Sequence, residues 1–160
     1  MVKSVKEIKK ILIEKNKVLS TAESCTGGLI SSYLTDIPGS SNFIKQNFVT
    51  YANESKINIL DVKKETIEKF GVVSSEVASE MACGLTKKYD SDFGISITGI
   101  LGPKTYNDNN PKGTVFIGLA SKERNKNVKY ISEKKTRTAI KKDVAKKALD
   151  EFLTFLRENS

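Results

Sequence analysis

Three stretches of the chain repeat apolar residues at the three- and four-residue spacing that places them on one side of a helix. The first covers residues 3–16, the second follows Ser74, which can cap a helix, and the third runs towards the C-terminus. The repeating apolar positions are Val5, Ile8, Ile11 and Leu12, then Val77, Ala78, Met81, Ala82 and Leu85, then Ile140, Val144, Ala148, Phe152 and Phe155. Each stretch therefore predicts a helix with one buried face.

Shorter apolar runs between turn residues predict strands. The runs are 18–22, 48–51, 92–99, 113–121 and 127–133, and the hairpin signal KERNK separates the last two. Further helices are predicted from Thr26 to an exit marked by Pro38, from about Asn53, and over 64–70. We expect the Asn53 side chain to cap its helix.

Helices and strands alternate along most of the chain, and the late hairpin makes one strand antiparallel. We therefore predict an α/β fold, a three-layer α/β/α sandwich with a mixed, mostly parallel sheet of about five strands. A length of 160 residues suits a single domain over 1–160. The polar, turn-rich segment 104–112 predicts a mobile loop.

The chain contains no histidine, which excludes a Ser-His-Asp triad and most catalytic zinc sites. Lysine, tyrosine or carboxylates must then handle protons. The net charge of +8 comes from lysines spread over nearly the whole chain, which is more typical of a solvated surface than of a nucleic-acid interface. The two cysteines lie far apart, and no segment resembles a signal peptide or a membrane helix, so we expect a cytoplasmic protein without a metal site.

Small polar segments follow three of the predicted strands: AESCTGG at 22–28, TYANESK at 50–56 and TGILGP at 98–103. In open α/β sheets, ligands bind beyond the carboxyl ends of the strands. We therefore expect these segments to converge on one pocket.

The residue types in these segments predict a hydroxyl nucleophile and an amine base. Ser24 is expected to be exposed at a turn between strand and helix, where free helix amides favour an oxyanion or a phosphate. Gly27 and Gly28 allow the backbone to approach a ligand closely. Lys56 can replace histidine as the base if its surroundings lower its pKa. A packing role is favoured for Cys25, because no histidine is present to activate its thiol.

Five segments in matching order and spacing carry a resemblance to a known family: TAESCTGGLISSYLTDIPGSS, FVTYANESK, GVVSSEVASEMA, ITGILGP and GTVFIGLA. They resemble the CinA C-terminal domain, the nicotinamide mononucleotide amidohydrolase (PncC) family. The resemblance implies hydrolysis of nicotinamide mononucleotide (NMN) to nicotinic acid mononucleotide and ammonia in pyridine-nucleotide salvage, without a metal or organic cofactor. It also implies a homodimer or a higher homo-oligomer.

The resemblance also implies roles for individual residues. The catalytic serine is Ser24 or Ser41, with Ser24 favoured, and it acts with Lys56 and Tyr51. Arg137, near the start of the last helix, is expected to hold the substrate's phosphate or carboxamide. The other expected substrate-binding residues are Glu23, Cys25, Thr26, Gly27, Gly28, Asn53, Thr98, Gly99 and Gly102.

The chain departs from the family pattern around the expected pocket rim. Leu101 replaces an alanine, the segment 104–110 replaces a glycine-rich stretch, and Lys112 stands where valine is common. Lys135 and Thr136 replace the Gly-Asp of a GDR motif. These changes are expected to alter the pocket rim and leave the implied catalytic groups in place.

Two other functions stay open from the sequence. A catalytically silent nucleotide-binding or interaction module, related to the competence and DNA-damage association of the family, is favoured by the altered loop and opposed by the retained catalytic groups. Nucleic-acid binding is opposed by the presence of only three arginines, which are not interleaved with aromatic residues. Family members also occur fused to a nucleotide-processing domain, whereas we expect this domain to stand alone.

Overall fold

The computed structural model describes residues 3–103 and 110–159, so most of the predicted loop at 104–112 lies outside the described residues. The strands are β1 (Leu19–Glu23), β2 (Ile44–Val49), β3 (Phe93–Gly99), β4 (Thr114–Ser121) and β5 (Asn125–Ile131). The helices are α1 (Lys3–Glu14), α2 (Leu29–Thr35), α3 (Asn53–Leu60), α4 (Lys64–Phe70), α5 (Ser75–Lys87) and α6 (Arg137–Glu158). A short 3-10 helix, Ser40–Asn42, precedes β2.

The strands form one sheet in the order β2-β1-β3-β4-β5. The pairs β2 with β1 and β1 with β3 are parallel, and the pairs β3 with β4 and β4 with β5 are antiparallel. Among the described strands, β4 alone therefore runs against the others. Helices α1, α2 and α6 cover one face of the sheet, and α3, α4 and α5 cover the other. These layers confirm the predicted α/β/α sandwich.

The predicted apolar faces form the core on both sides of this sheet. Every apolar position predicted for α5 and α6 is buried, and in α1 only Ile11 remains half-buried. Ser74 caps α5 as predicted, since its Oγ accepts a hydrogen bond from the Val77 amide at 3.3 Å. None of the helices in the described part of the chain is long and apolar enough to cross a membrane.

Helix α2 begins at Leu29, three residues later than Thr26, where the sequence predicts it. The cause lies in Gly27 and Gly28, whose φ angles of 62° and 98° belong to the left-handed region. A right-handed helix cannot contain such angles, and glycine adopts them at the lowest cost. Residues 24–28 therefore form a tight turn between β1 and α2.

Strand β2 covers Ile44–Val49, whereas the sequence predicts a strand over 48–51. It is an edge strand, and its side chains alternate between half-buried and exposed. The chain leaves the sheet after Val49, so the carbonyl groups of Thr50 and Tyr51 are free to bind a side chain. The predicted cap of α3 is wrong: Ala52 precedes the helix, no side chain caps it, and Asn53 is its first residue.

Candidate active site

The three small polar segments meet at one edge of the sheet and line a pocket of about 360 Å³. Ser24 and Cys25 come from the first segment, Tyr51, Asn53 and Lys56 from the second, and residues 98–103 from the third. The predicted convergence of these strand ends is confirmed. The three segments meet because they follow β1, β2 and β3, and β1 lies between the other two in the sheet.

Lys56 is buried at the base of this pocket with 1% of its surface exposed. Its Nζ lies 2.7 Å from the carbonyl oxygen of Thr50, 3.2 Å from that of Tyr51 and 3.2 Å from Oγ of Ser24. Burial lowers the pKa of Lys56 from 10.5 to about 8, because the charged ammonium loses its hydration. About a tenth of this amine is therefore neutral at pH 7, and about half at pH 8.

Both protonation states of Lys56 can satisfy its three neighbours, and the ammonium donates one N–H group to each of them. A neutral amine has two N–H donors and one lone pair. The carbonyls of Thr50 and Tyr51 can accept the two N–H groups, which leaves the lone pair to accept the hydroxyl proton of Ser24. This arrangement suits a lysine that acts as a general base towards a serine.

Ser24 is less accessible than the sequence predicts. Only 9% of its surface is exposed, because its backbone amide still bonds to the carbonyl of Ile97 in β3, at 3.1 Å. The adjacent Cys25 packs into the core on the α6 side, and burial raises the pKa of its thiol to about 12. Cys25 is therefore a protonated thiol at neutral pH, as the packing interpretation requires.

The amides at the start of α2 do not form the anion site that the sequence predicts, because Glu23 occupies them. One carboxylate oxygen of Glu23 accepts hydrogen bonds from the amides of Gly28 (3.1 Å) and Ile30 (3.0 Å) and from Oγ1 of Thr26 (2.5 Å). The other accepts bonds from the amide and hydroxyl of Ser31, at 2.8 and 2.7 Å. Glu23 is fully buried and holds the turn that carries Ser24.

Replacing Glu23 with glutamine is expected to lower the free energy of unfolding by about 2 kcal/mol, because an NH₂ group would face donors that now have an acceptor. Urea unfolding measures the difference. Glu123→Gln, in the exposed turn between β4 and β5, is the control and should cost less than about 0.5 kcal/mol. Equal stability of the two variants would show that the Glu23 hydrogen bonds do not stabilise the fold.

The amides of Cys25 and Thr26 differ from those of Gly28 and Ile30, because among the described hydrogen bonds neither donates to another residue; the Cys25 amide contacts only its own thiol. Both amides belong to the turn that follows the Ser24 nucleophile candidate. Free backbone donors beside a nucleophile are the usual means of stabilising an oxyanion. The amide of Cys25 is therefore the expected oxyanion donor, since Cys25 lines the pocket. Thr26 is fully buried outside the lining, and the Gly27 amide bonds to the Ser24 carbonyl at 3.1 Å.

Arg137 and Tyr51 form the outer rim of the pocket. Nη2 of Arg137 donates a hydrogen bond to the Tyr51 hydroxyl at 3.3 Å, and 62% of the Tyr51 surface is exposed. Arg137 is the first residue of α6, where Thr136 caps the helix by accepting a bond from the Ala139 amide at 3.2 Å. The pocket lining contains two cations and no carboxylate within the described residues, so its charge favours an anionic ligand.

The structure separates the remaining expected site residues into two groups. Asn53, Thr98, Gly99 and Gly102 line the pocket, whereas Glu23, Thr26, Gly27, Gly28 and Ser41 are not part of its lining. Ser41 is exposed in the 3-10 helix before β2. In the described residues, no group of three or more Cys, Asp or Glu side chains could hold a metal ion.

Two pocket residues, Val72 and Val73, are not identified as site residues from the sequence. They lie in the loop between α4 and α5, and Oγ1 of Thr98 holds this loop by donating to the Val72 carbonyl at 3.0 Å. The sequence feature that could have identified them is a pair of valines in a segment that has neither helical nor strand periodicity. Together with Leu101, they supply an apolar wall to a lining that also contains the polar Ser24 and Lys56.

Comparison with curated proteins identifies close relatives. The CinA C-terminal domain model matches residues 2–156. A CinA-like protein of Endomicrobium trichonymphae is 44% identical over 148 residues, which are 92% of this chain and 33% of that protein. A putative competence-damage inducible protein of Clostridium kluyveri is 46% identical over 149 residues, 93% of this chain and 36% of that protein. This chain thus spans about a third of the length of these relatives.

Solved structures show the same fold over nearly the whole chain. A competence-damaged protein (CinA) superfamily protein from Escherichia coli has a TM-score of 0.91 and 31% identity, and the match covers 96% of this chain and 89% of that one. The competence/damage inducible protein CihA from Agrobacterium tumefaciens has a TM-score of 0.86 and 34% identity, and the match covers 96% of each chain. With the family model matching almost every residue, the chain belongs to the CinA C-terminal domain family.

Proposed function

We propose that this protein is an amidohydrolase that converts NMN to nicotinic acid mononucleotide and ammonia. The observation that carries this proposal is the 3.2 Å contact between the buried Lys56 amine and the Ser24 hydroxyl at the base of an accessible pocket. A serine with a neutral amine beside it is suited to acyl transfer from an amide. Membership of the CinA C-terminal domain family is consistent with this activity.

The pocket offers a suitable environment to each part of NMN. The apolar wall of Val72, Val73 and Leu101 suits the flat pyridine ring. The carboxamide then faces Ser24, and the phosphate lies towards Arg137, whose planar guanidinium can donate two parallel hydrogen bonds to it. The Tyr51 hydroxyl orients Arg137 by accepting its hydrogen bond. Among the described contacts, this hydroxyl makes no hydrogen bond with Lys56 or Ser24, and only the Tyr51 carbonyl contacts Lys56.

In the first half-reaction, Lys56 takes the hydroxyl proton of Ser24 while Oγ forms a bond to the carboxamide carbon. The amide of Cys25 stabilises the negative charge that develops on the carbonyl oxygen. The C–N bond then breaks, and the Lys56 ammonium gives its proton to the departing nitrogen. Ammonia leaves, and the acyl group of nicotinic acid mononucleotide, with its ribose phosphate, remains as an ester on Ser24.

In the second half-reaction, Lys56 takes a proton from a water molecule that attacks the ester carbon. The bond between that carbon and Oγ breaks, and Lys56 returns a proton to Ser24. The carboxylic acid product loses its own proton to solvent and leaves as nicotinic acid mononucleotide. One amine thus acts as base and acid in both steps, which is chemically reasonable for a group with a pKa of about 8.

Incubation of the purified protein with NMN tests this proposal. We expect ammonia and nicotinic acid mononucleotide to form in equal amounts, each measured separately by an enzymatic assay and by chromatography. A Lys56→Met variant purified in parallel controls for contaminating deamidases. Calorimetric binding of NMN without either product would contradict the proposal and favour a silent nucleotide-binding module.

A further inference from the structure

A second cation lies beside the pocket, one helical turn after Arg137. Residues four apart share one face of a helix, so Lys141 and Arg137 point from the same side of α6. Lys141 is half-buried, whereas the following Lys142 is exposed. Lys141 was not identified from the sequence, because one more lysine on a lysine-rich helix carries no signal of its own.

The charged end of each of these two side chains lies close to a glycine, which locates it in the structure. A Cβ atom built on Gly27 would lie 3.4 Å from Nζ of Lys141, and one built on Gly102 would lie 3.7 Å from Nη1 of Arg137. The Lys141 amine therefore rests against the turn that carries Ser24, and the Arg137 guanidinium rests against the loop that follows β3. Arg137 thus lines the pocket, and Lys141 lies outside the lining, next to the turn that carries Ser24.

The surroundings leave both cations available to an anion. Within residues 3–103 and 110–159, neither Lys141 nor Arg137 forms an ion pair with a carboxylate, although Lys147 on the same helix pairs with Glu151 at 2.7 Å. Glu23, in the neighbouring turn, is fully buried and already accepts hydrogen bonds at both oxygens. The α2 amides bonded to Glu23 are therefore not available to a phosphate, whereas the side chains of Lys141 and Arg137 are.

We propose that Lys141 and Arg137 form a two-cation subsite for the substrate's phosphate monoester, and that Lys141 makes the site selective for phosphorylated over unphosphorylated ligands. This inference rests on the proposed function for the identity of the substrate. The subsite itself requires only a sugar phosphate, and it can be tested without turnover. Arg137 supplies paired donors, and Lys141 supplies a compact charge.

Calorimetry with ribose 5-phosphate as the probe tests the subsite directly. We expect Lys141→Ala to weaken binding by about tenfold, since it removes one charge-assisted hydrogen bond to the phosphate. Lys142→Ala removes the same charge one residue away and should change the dissociation constant by less than about twofold. Equal effects of the two substitutions, or no binding of ribose 5-phosphate to the unmodified protein, would overturn the inference.

Kinetics with two substrates test the claim of selectivity. We expect Lys141→Ala to raise KM for NMN while kcat changes little, because the contact is present in the ground state and in the transition state alike. The kinetic constants for nicotinamide riboside, which lacks the phosphate, should stay the same. An equal loss with both substrates would show a general role of Lys141 in the fold of the site. If neither substrate is hydrolysed, the proposed function fails while the ribose 5-phosphate result still decides the subsite.

Discussion

Replacing Lys56 with methionine is expected to reduce the rate of ammonia release from NMN by about 10³-fold, because both half-reactions lose their general base and acid. Methionine is unbranched and apolar, so it fills the buried space that the lysine side chain occupies. Binding of NMN should weaken by no more than about threefold, since Lys56 acts on the proton of Ser24 and not on the ground-state substrate. Initial rates and calorimetry measure the two effects.

The control for this substitution is Lys146→Met, on the exposed side of α6, which should retain full activity. Circular dichroism and urea unfolding establish that both variants are folded. Retention of more than about a tenth of the activity in Lys56→Met would show that the base lies elsewhere.

The same amine sets the expected pH dependence of kcat/KM. Because burial lowers the pKa of Lys56 to about 8, the neutral fraction rises about tenfold between pH 7 and pH 9. The rate should rise with it and level off above this range, and the substrate phosphate is already fully ionised there. Cys25→Ala is expected to keep this profile, since the pKa of the Cys25 thiol, about 12, lies far above the range. A profile that is flat from pH 7 to pH 9 would argue against Lys56 as the base.

The stability of the fold should respond to pH through the same group, with a sign that can be stated in advance. Between pH 8 and pH 10.5, Lys56 is protonated in the unfolded chain and largely neutral in the folded one. The unfolded state binds more protons there, so this contribution to the free energy of unfolding increases as the pH rises. Cys25 contributes with the opposite sign above pH 9, because its folded pKa is raised from 9.0 to about 12. The difference between the unmodified protein and Lys56→Met isolates the Lys56 contribution.

The sequence is sufficient to predict the layers of the fold, because the long helices α1, α5 and α6 carry a periodicity that burial imposes on them. Ile140 to Phe155 repeat every three or four residues for the reason that α6 lies against the sheet with one face buried. The edge strand β2 lies earlier than the sequence predicts, because its residue types do not follow its burial: Gln46 is half-buried and Val49 is exposed. The burial pattern itself alternates in both edge strands, β2 and β5.

The candidate site was predictable only as a set of residues that follow neighbouring strands. Chain order placed Ser24 and Lys56 at the same edge of the sheet, but the 3.2 Å contact depends on the path of the chain after β2. Glu23 was assigned to the substrate because a carboxylate in a polar motif gives no indication of its hydrogen-bond partners. The structure shows that it folds back on the amides of its own turn, a local arrangement that depends on the left-handed Gly27 and Gly28.

Replacing Ser24 with alanine is expected to reduce ammonia release by at least about 10⁴-fold, because no other hydroxyl replaces the nucleophile. Ser41→Ala should change the rate by less than about twofold. The two substitutions remove the same atom from a buried pocket residue and from an exposed residue of the 3-10 helix, respectively. A difference between the two rates therefore reflects the position of the serine, because the chemical change is the same.

Mass spectrometry of the protein during turnover identifies the serine that carries the acyl group, which a rate alone cannot do. A covalent adduct with the mass of the nicotinic acid mononucleotide acyl group should form on the peptide that contains Ser24, and it should be absent from Ser24→Ala. If Ser41→Ala lost its activity and the adduct of the unmodified protein lay on the peptide that contains Ser41, the nucleophile would be Ser41 in the 3-10 helix. The contact between Lys56 and Ser24 would then serve the fold alone, since a lysine at the base of the pocket could not activate a hydroxyl outside it.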